Sequence, residues 1–175
     1  MKFFSKIRIR MIKIVKPFSR KRYNKMYYSY LRSLGVNMTG TPKFIEDNVF
    51  IDPTNYGLLT IEQGVTISRN VTLLVHDYSI SRIFVQNNEN VTCAGIFKPI
   101  VLKEGCFVGA GSIILPGTTV GKNSIIGAGS IVKGSIPDNV VAAGNPAKVI
   151  RSLQEYYEKI TEKDSEYLKI WKKEG

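Results

Sequence analysis

The sequence predicts a mainly β chain that folds as a parallel β-helix, and three observations lead to this prediction. An aliphatic residue recurs at every sixth position over six consecutive hexads, from Leu102 to Pro137. A small residue usually follows it four positions later, and Gly, Asn or Pro occupies the turn between them. This period of six matches neither the 3.6-residue period of an amphipathic helix nor the alternation of a half-buried strand. It fits a chain that forms a short strand, turns a corner and repeats, so that successive coils share one aliphatic core.

The first segment, residues 1–40, is expected to be a basic and largely helical lead-in. Residues 1–32 hold eleven Lys and Arg and no acidic residue, whereas the rest of the chain holds 14 of each sign, so the net charge of +11 originates here. Apolar residues recur between these cations at helical spacing, namely Phe4, Ile7, Met11, Ile14 and Phe18. Two interpretations stay open: residues 1–25 contact an anionic membrane surface as a peripheral helix, or the stripe packs on the repeat body and the cations are solvated. No nucleic-acid partner is expected, because the segment holds no recognised recognition module.

The repeat domain is predicted over residues 41–151, with one interruption. Hexads begin at Ile45 and resume at Ile61, but the register fails over a polar stretch at about residues 77–94. A loop of this length within a regular solenoid is more often functional than accidental, and a tolerated insertion is the alternative.

The last segment, residues 152–175, is predicted to be a helical tail. Four apolar residues stand at the spacing of an amphipathic helix: Leu153, Tyr156, Tyr157 and Ile160. Such a helix would cap the open end of the solenoid.

Several site classes are disfavoured by the residue counts. The two cysteines, Cys93 and Cys106, lack the spacing of a disulfide framework or a zinc site. A single histidine excludes ligation of a metal by several histidines of one chain, and we expect no metal. Basic residues interrupt the apolar N-terminus, so no secretory signal is predicted, and no apolar run approaches membrane-spanning length. The expected location is the cytoplasm, with peripheral contact at the inner membrane surface as an addition.

His76 is the candidate catalytic base. It stands where a strand of the repeat is expected to end and the 77–94 loop to begin. An unperturbed imidazole titrates near neutrality, so it can remove a proton from a hydroxyl or an amine and return it to a leaving group. A structural, hydrogen-bonded histidine is the alternative.

Taken together, these features resemble the left-handed β-helix acyltransferases, the hexapeptide-repeat O- and N-acetyltransferases of sugars, serine and some antibiotics. The resemblance covers about residues 31–151. It is carried by the hexads, by His76 after Leu73-Leu-Val and by the closing motif Ala143-Gly-Asn-Pro-Ala-Lys-Val-Ile-Arg151. The lead-in Leu31-Arg-Ser-Leu-Gly-Val36 and the pair His76-Asp77 resemble most closely the branch that acetylates lipopolysaccharide, capsule and related glycan sugars. The resemblance implies a left-handed helix, a homotrimer with three active sites, and acetyl-CoA as the acyl donor.

The resemblance also implies roles for particular residues. His76 matches the base, and Asp77 is assigned to catalysis beside it, with acceptor binding or a turn-starting role as alternatives. The residues implied to contact acetyl-CoA are Ala110, Ala128, Lys133, Gly134, Lys148 and Arg151. The Lys133-Gly134 step departs by one position from the Thr-Lys that the family often has there, which puts its phosphate contact in question. The residues expected near the acceptor are Asp52, Asn55, Tyr78 and Arg82.

We therefore expect an acetyl-CoA-dependent O-acetyltransferase that acts on a sugar hydroxyl of a bacterial surface polysaccharide or its precursor. An N-acetyltransferase of a nucleotide-linked amino sugar would use the same base and donor, and these residues do not separate the two. A catalytically silent trimeric β-helix scaffold is the alternative from a different class.

Overall fold

The structure, a computed structural model, describes residues 2–87 and 90–171, with side chains from Ile7 onward. Phe4 of the predicted stripe, part of the 77–94 loop and the end of the 152–175 tail therefore lie outside the described side chains. The chain opens with two packed helices, α1 (Lys2–Val15) and α2 (Arg20–Leu34). The Ser19 hydroxyl caps α2 by accepting from the Arg22 N–H at 3.3 Å, and Gly35 ends it in the left-handed region at φ 106°.

The strands follow in coils. The first coil holds β1 (Asn37–Thr39), β2 (Phe44–Ile45) and β3 (Phe50–Ile51), and the second holds β4 (Leu59–Glu62), β5 (Thr66–Ile67) and β6 (Thr72–Leu73). The interruption contains β7 (His76–Asp77), α3 (Ser81–Gln86) and β8 (Ile96–Phe97). The third coil holds β9 (Ile100–Leu102), β10 (Phe107–Val108) and β11 (Ile113–Ile114), and the fourth holds β12 (Thr119–Val120), β13 (Ile125–Ile126) and β14 (Ile131–Val132). The last coil holds β15 (Ser135–Ile136) and β16 (Val140–Gly144), followed by β17 (Ala147–Ser152) and α4 (Leu153–Lys163).

Equivalent strands of successive coils pair in parallel and form three faces of a prism. Face 1 has the order β1-β4-β9-β12-β15, face 2 the order β2-β5-β10-β13-β16, and face 3 the order β3-β6-β11-β14. The strand β17 closes face 2 as an antiparallel edge. The predicted left-handed parallel β-helix with helices at both ends is confirmed.

The hexad register explains the core. The aliphatic residue that opens each hexad is completely buried at Leu102, Val108, Ile114, Val120, Ile126 and Val132. Val108 lies in register with Ile67 in the coil before and Ile126 in the coil after, so the aliphatic column continues through the stack. Complete burial of one such side chain contributes about 1.5–3 kcal/mol to folding. The small residues of the hexads are also buried, and the hydroxyls of Ser112, Thr118 and Ser124 donate to backbone carbonyls of the next coil, as Ser112 does to Gly127 at 3.0 Å.

The solenoid begins a few residues before the predicted boundary at 41, and its last strand, β17, ends at Ser152, one residue after the predicted boundary at 151. Met38 in β1 already pairs with Ile61, so the first coil begins before residue 41. At the other end, α4 packs on β16 and β17, and its first turn is held by a reciprocal capping box between Ser152 and Glu155.

The basic lead-in packs on the first coil through one side of α1. Ile12 is buried, and the ammonium of Lys16 lies 3.2 Å from Glu46 and 2.5 Å from Asp47. The hydrogen bond to Asp47 raises the pKa of Lys16 above its ordinary value. Arg20 adds a contact to Glu46 at 3.4 Å. Part of the cationic charge is thus paired rather than solvated. None of the described helices combines the length and apolar composition that a bilayer-spanning helix requires.

Candidate active site

The single histidine lies at the corner where the chain passes from face 3 to face 1, which we call the 3/1 corner. Backbone hydrogen bonds stack this corner coil upon coil: the Asp52 N–H donates to Leu73 O at 3.0 Å and the Leu74 N–H to Ile114 O at 2.9 Å. After the buried Val75, the chain leaves the prism at His76 in β7. The start of the interruption therefore places the imidazole directly beside the corner of the preceding coil.

That preceding corner supplies a buried carboxylate. Asp52 is 1% exposed, and its Oδ2 contacts His76 Nδ1 and accepts a hydrogen bond from the Val75 N–H at 3.0 Å. Its Oδ1 accepts from both the backbone N–H and the hydroxyl of Thr54. Burial by itself would raise the pKa of Asp52, but the hydrogen bonds from Thr54, His76 and Val75 outweigh it and hold this pKa below its ordinary value. Asp52 is therefore ionised at neutral pH.

This contact sets the tautomer of His76. An ionised carboxylate can only accept hydrogen bonds, so the proton of a neutral imidazole must reside on Nδ1. Nε2 is then left with its lone pair, which is the state that a general base requires. The Thr54 hydroxyl, 3.0 Å from Nδ1, adds a second oxygen on the same side of the ring.

Two aromatic rings of the interruption lie against the imidazole, one directly after β7 and one in β8. The Tyr78 ring centroid lies 4.6 Å from that of His76, and Phe97, the antiparallel partner of His76, lies at 6.1 Å. Tyr78 and Phe97 meet edge to face with 5.7 Å between centroids. Tyr78, predicted as an acceptor contact, thus packs against the ring of the candidate base.

A cavity of about 290 Å³ opens at this corner. His76 and Asp77 line it together with two lysines, Lys98 and Lys133. Its remaining walls are apolar or backbone, from Leu74, Ile96, Leu115 and Pro116. The cavity can therefore receive a polar group at the imidazole and an anionic group at the lysines.

Asp77 is exposed, and its carboxylate takes part in a local turn. Its carboxylate accepts from the Ser79 N–H at 2.8 Å, and the hydrogen bonds from Ser79, followed by the charge of Lys133, lower the pKa of Asp77. The carboxylate on the imidazole is that of Asp52, which had been predicted as an acceptor contact. Among the described residues, Asp77 forms no hydrogen bond with His76.

The residues predicted to contact acetyl-CoA divide between two corners. Lys133 and Gly134 follow β14 at the 3/1 corner, beside His76. Ala110 and Ala128 lie instead where the chain passes from face 2 to face 3, the 2/3 corner, and are stacked through the Gly129 N–H, which donates to Ala110 O at 2.8 Å.

The two basic residues of the closing motif lie toward opposite ends of β16, Lys148 near the 2/3 corner and Arg151 near the end that follows face 1. Lys148 is exposed and pairs in register with Ala143, which in turn lies over Gly127. Arg151 is half-buried opposite Val141 in the same antiparallel pair. Ala110, Ala128 and Lys148 therefore follow one edge of the prism, and His76 follows another.

The two remaining predicted acceptor residues stand apart from the imidazole contacts. Asn55 is exposed, and its side chain accepts from the Gly57 N–H at 3.0 Å to cap a short 3-10 turn. Arg82 is exposed on α3 and forms no ion pair with a described acidic residue. Sequence reasoning missed Thr54 and Lys98. The position of Thr54 two residues after Asp52 is typical of a local side-chain turn and was the available signal.

Within residues 2–87 and 90–171, no group of three or more His, Cys, Asp or Glu side chains could hold a metal ion.

Comparison with known proteins assigns this geometry to a family. The family model described as bacterial transferase hexapeptide (six repeats) matches residues 99–134. The chain is also 36% identical over 143 residues to Protein CapG of Staphylococcus aureus, a match that covers 79% of this chain and 78% of that protein. The chain belongs to the hexapeptide-repeat transferase family. The resemblance inferred from the hexads, His76 and the closing motif is thereby confirmed.

Other members of the family carry named activities. The chain is 38% identical over 133 residues to the galactoside O-acetyltransferase of Lactococcus lactis, covering 63% of each chain. It spans between about half and just under two thirds of the length of several such curated relatives. A solved galactoside acetyltransferase in complex with coenzyme A superposes with a TM-score of 0.58 at 25% identity, over 98% of this chain and 88% of that one.

Proposed function

We propose that this hexapeptide-repeat transferase is an acetyl-CoA-dependent O-acetyltransferase of sugar hydroxyls, with His76 as its general base. One observation carries the proposal: the Nδ1 of His76 faces the buried, ionised carboxylate of Asp52 at the mouth of a cavity. A bare scaffold has no use for a buried carboxylate that fixes the tautomer of a half-exposed imidazole. Relatives named as galactoside O-acetyltransferases support a carbohydrate acceptor.

The reaction follows from this arrangement. Nε2 of His76 accepts the proton of the acceptor hydroxyl as its oxygen attacks the thioester carbonyl. The tetrahedral oxyanion requires hydrogen-bond donors, for which backbone N–H groups suffice. When the carbon–sulfur bond breaks, the imidazolium returns the proton to the departing thiolate, and the products are an acetyl ester and CoA. Asp52 stabilises the imidazolium while it exists. No acyl-enzyme forms, so Cys93 and Cys106 have no role.

The residues of the chain suit acetyl-CoA as the donor. Lys133 and Lys98 stand in the His76 cavity, Lys148 lies near the edge that carries Ala110 and Ala128, and Arg151 lies on the same strand pair opposite Val141. Phosphate groups bind such cations, and short alanine side chains leave the backbone of a corner accessible. The relative solved with coenzyme A aligns over nearly the whole chain, which supports the same donor here.

We further propose a homotrimer, because the donor residues lie on two edges of one prism. Leu115 at the 3/1 corner and Ala110 at the 2/3 corner are five residues apart in sequence, and at about 3.3 Å per residue the corners are separated by up to about 16 Å. One acyl donor cannot follow both edges of a single chain without crossing face 3. A threefold assembly that sets the 2/3 edge of one subunit beside the 3/1 corner of the next brings both sets of residues to one groove.

As the acceptor molecule, we propose a bacterial surface polysaccharide or its precursor. The test is release of thiol from acetyl-CoA across a panel of sugars, nucleotide sugars, amino sugars and bacterial glycans, for the wild type and for His76→Ala. Release that needs both a hydroxyl acceptor and His76 supports the proposal. Release only with amine acceptors identifies an N-acetyltransferase instead, and absence of both release and CoA binding in calorimetry identifies a silent scaffold.

A further inference from the structure

Helix α1 presents apolar side chains on two opposite sides, and the rest of the chain covers only one of them. On the covered side, Ile12 is 2% exposed and Ile9 is partly buried. On the other side, Ile7, Met11 and Ile14 are 42%, 59% and 58% exposed. Their spacing of four and three residues puts them on one face of the helix. Phe18, which continues this spacing just after the helix, is 84% exposed. We call these four residues the exposed stripe.

Unpaired cations accompany the exposed stripe. Lys13, Lys16 and Arg20 form ion pairs with Glu46 or Asp47 of the first coil. By contrast, the cations Arg10, Lys21, Arg22 and Lys25 are exposed and pair with no acidic residue among those described. Arg10 stands on α1 itself, and Lys21 and Arg22 follow Phe18 within one helical turn.

The geometry points to an anionic lipid bilayer as the partner of this face. We infer that α1 lies along the membrane surface, with the exposed stripe at the boundary of headgroups and acyl chains and the unpaired cations at the lipid phosphates. A helix with one apolar face and basic residues around it binds in this manner, and its affinity combines buried apolar area with attraction to anionic lipid. The first turns of the chain thus have a partner outside the protein, independently of the acetyl-transfer reaction.

Charge complementarity selects lipid over a second copy of this chain. Residues 1–32 contain eleven cations and no acidic residue, so two such faces brought together would repel each other. A nucleic acid would satisfy the cations but would leave the four apolar side chains of the stripe in water. A bilayer surface satisfies both the apolar and the cationic groups at once.

The test is co-sedimentation of the full chain with vesicles of phosphatidylglycerol and phosphatidylcholine, compared with vesicles of phosphatidylcholine alone. We expect binding to the anionic vesicles only, weakening as salt is raised. The variant with Ile7→Ser, Met11→Ser, Ile14→Ser and Phe18→Ser should lose about tenfold or more of this binding. A charge variant with Lys21→Gln, Arg22→Gln and Lys25→Gln should bind less tightly and depend less on salt.

A matched control removes exposed apolar residues elsewhere. Tyr167 and Ile170, 78% and 74% exposed near the other end of the chain, are replaced by Ser and should leave vesicle binding unchanged. Thermal unfolding of each variant shows that the fold is retained.

Three results would overturn the inference. Equal vesicle binding by the stripe variant and the wild type would show that the exposed stripe does not contact the bilayer. A smaller oligomer for the stripe variant in sedimentation velocity would make the stripe a subunit interface. Retention of the wild type on duplex DNA, with no binding to vesicles, would make the segment a polyanion site.

Discussion

The Nδ1 atom of His76 is in direct contact with the Oδ2 atom of Asp52, although the two residues belong to different coils and are separated by 24 positions in the chain. The contact exists because Asp52 begins the 3/1 corner of the first coil, and the corner that carries His76 is stacked on it.

The first prediction separates the two aspartates beside the imidazole. Asp52→Asn should lower kcat by about 10²- to 10⁴-fold, since an amide no longer fixes the tautomer or stabilises the imidazolium. Asp77→Asn, the matched control, should change kcat less than about threefold because its carboxylate serves the Ser79 turn. Steady-state kinetics with the acceptor found in the panel measures both. A large loss in the Asp77 variant with none in the Asp52 variant would reverse the assignment.

The second prediction concerns the base itself. His76→Ala should lower kcat by at least about 10²-fold. CoA binding and the oligomeric state should stay close to those of the wild type, since His76 is only half-buried. Calorimetry and sedimentation velocity check the binding and the assembly. Dissociation of the oligomer would show that His76 is structural.

A third prediction follows from the lowered pKa of Asp52. The folded state binds the Asp52 proton less readily than the unfolded state, whose pKa is about 3.9, so the ionised carboxylate stabilises the fold above that value. This contribution is lost as the pH falls through the lower folded pKa. The difference in free energy of unfolding between the wild type and Asp52→Asn should therefore be largest above about pH 5 and shrink below about pH 4. Urea denaturation at several pH values measures it; a difference that grows in acid would contradict the prediction.

Lys133 gives the fourth prediction. Its ammonium lines the His76 cavity, where an anionic part of the donor can bind, so Lys133→Ala should raise the KM for acetyl-CoA by about three- to thirtyfold with little change in kcat. Lys122 is the matched control, because it is exposed at the corner between faces 1 and 2, away from the cavity, and its ammonium pairs with Glu104 at 3.6 Å. Lys122→Ala should leave KM unchanged. Equal effects of the two variants would indicate nonspecific attraction.

The fifth prediction tests the stacking of the 2/3 corner. A Cβ atom on Gly109 would lie 2.6 Å from the backbone N of Ala128 and 2.6 Å from Ile126 O, and these backbone atoms cannot move independently of the next coil. Gly109→Ala should therefore cost about 1–3 kcal/mol of stability. At Gly57 the nearest atom is 3.3 Å away, on the side chain of Asn55, so Gly57→Ala should cost clearly less in the same denaturation experiment.

The fold could be predicted from the sequence because its information is local and repeated. Each hexad has the same pattern, with an aliphatic residue in the buried core column and a small residue at the corner. The six hexads in register determine the stacking of Val108 on Ile126 without any further long-range information, whereas the stacking of Val108 on Ile67 spans the interruption.

The candidate site was less accessible to sequence reasoning. The single histidine at the end of a repeat strand could be identified, but its partner depends on which corner of the previous coil it meets. Asp77, adjacent in sequence, accepts a hydrogen bond from the Ser79 N–H, whereas the distant Asp52 contacts the ring because the corners of successive coils are stacked. The lead-in shows the same limit: its periodicity predicted a helix with an apolar stripe, but not that Ile12 would be covered while Met11 stays exposed.

The interruption after β6 leaves the prism and returns to it without changing the pairing between the second and third coils. Leu59 in β4 pairs directly with Ile100 in β9, and β7 and β8 form an antiparallel stem outside that pairing. One wall of the cavity therefore belongs to an antiparallel stem whose length does not affect the pairing of the coils. The length of this stem can therefore change without altering the coil pairing that sets Asp52 at the corner. Under the proposed function, the part of the molecule that meets the acceptor is then separable from the corner that holds the base.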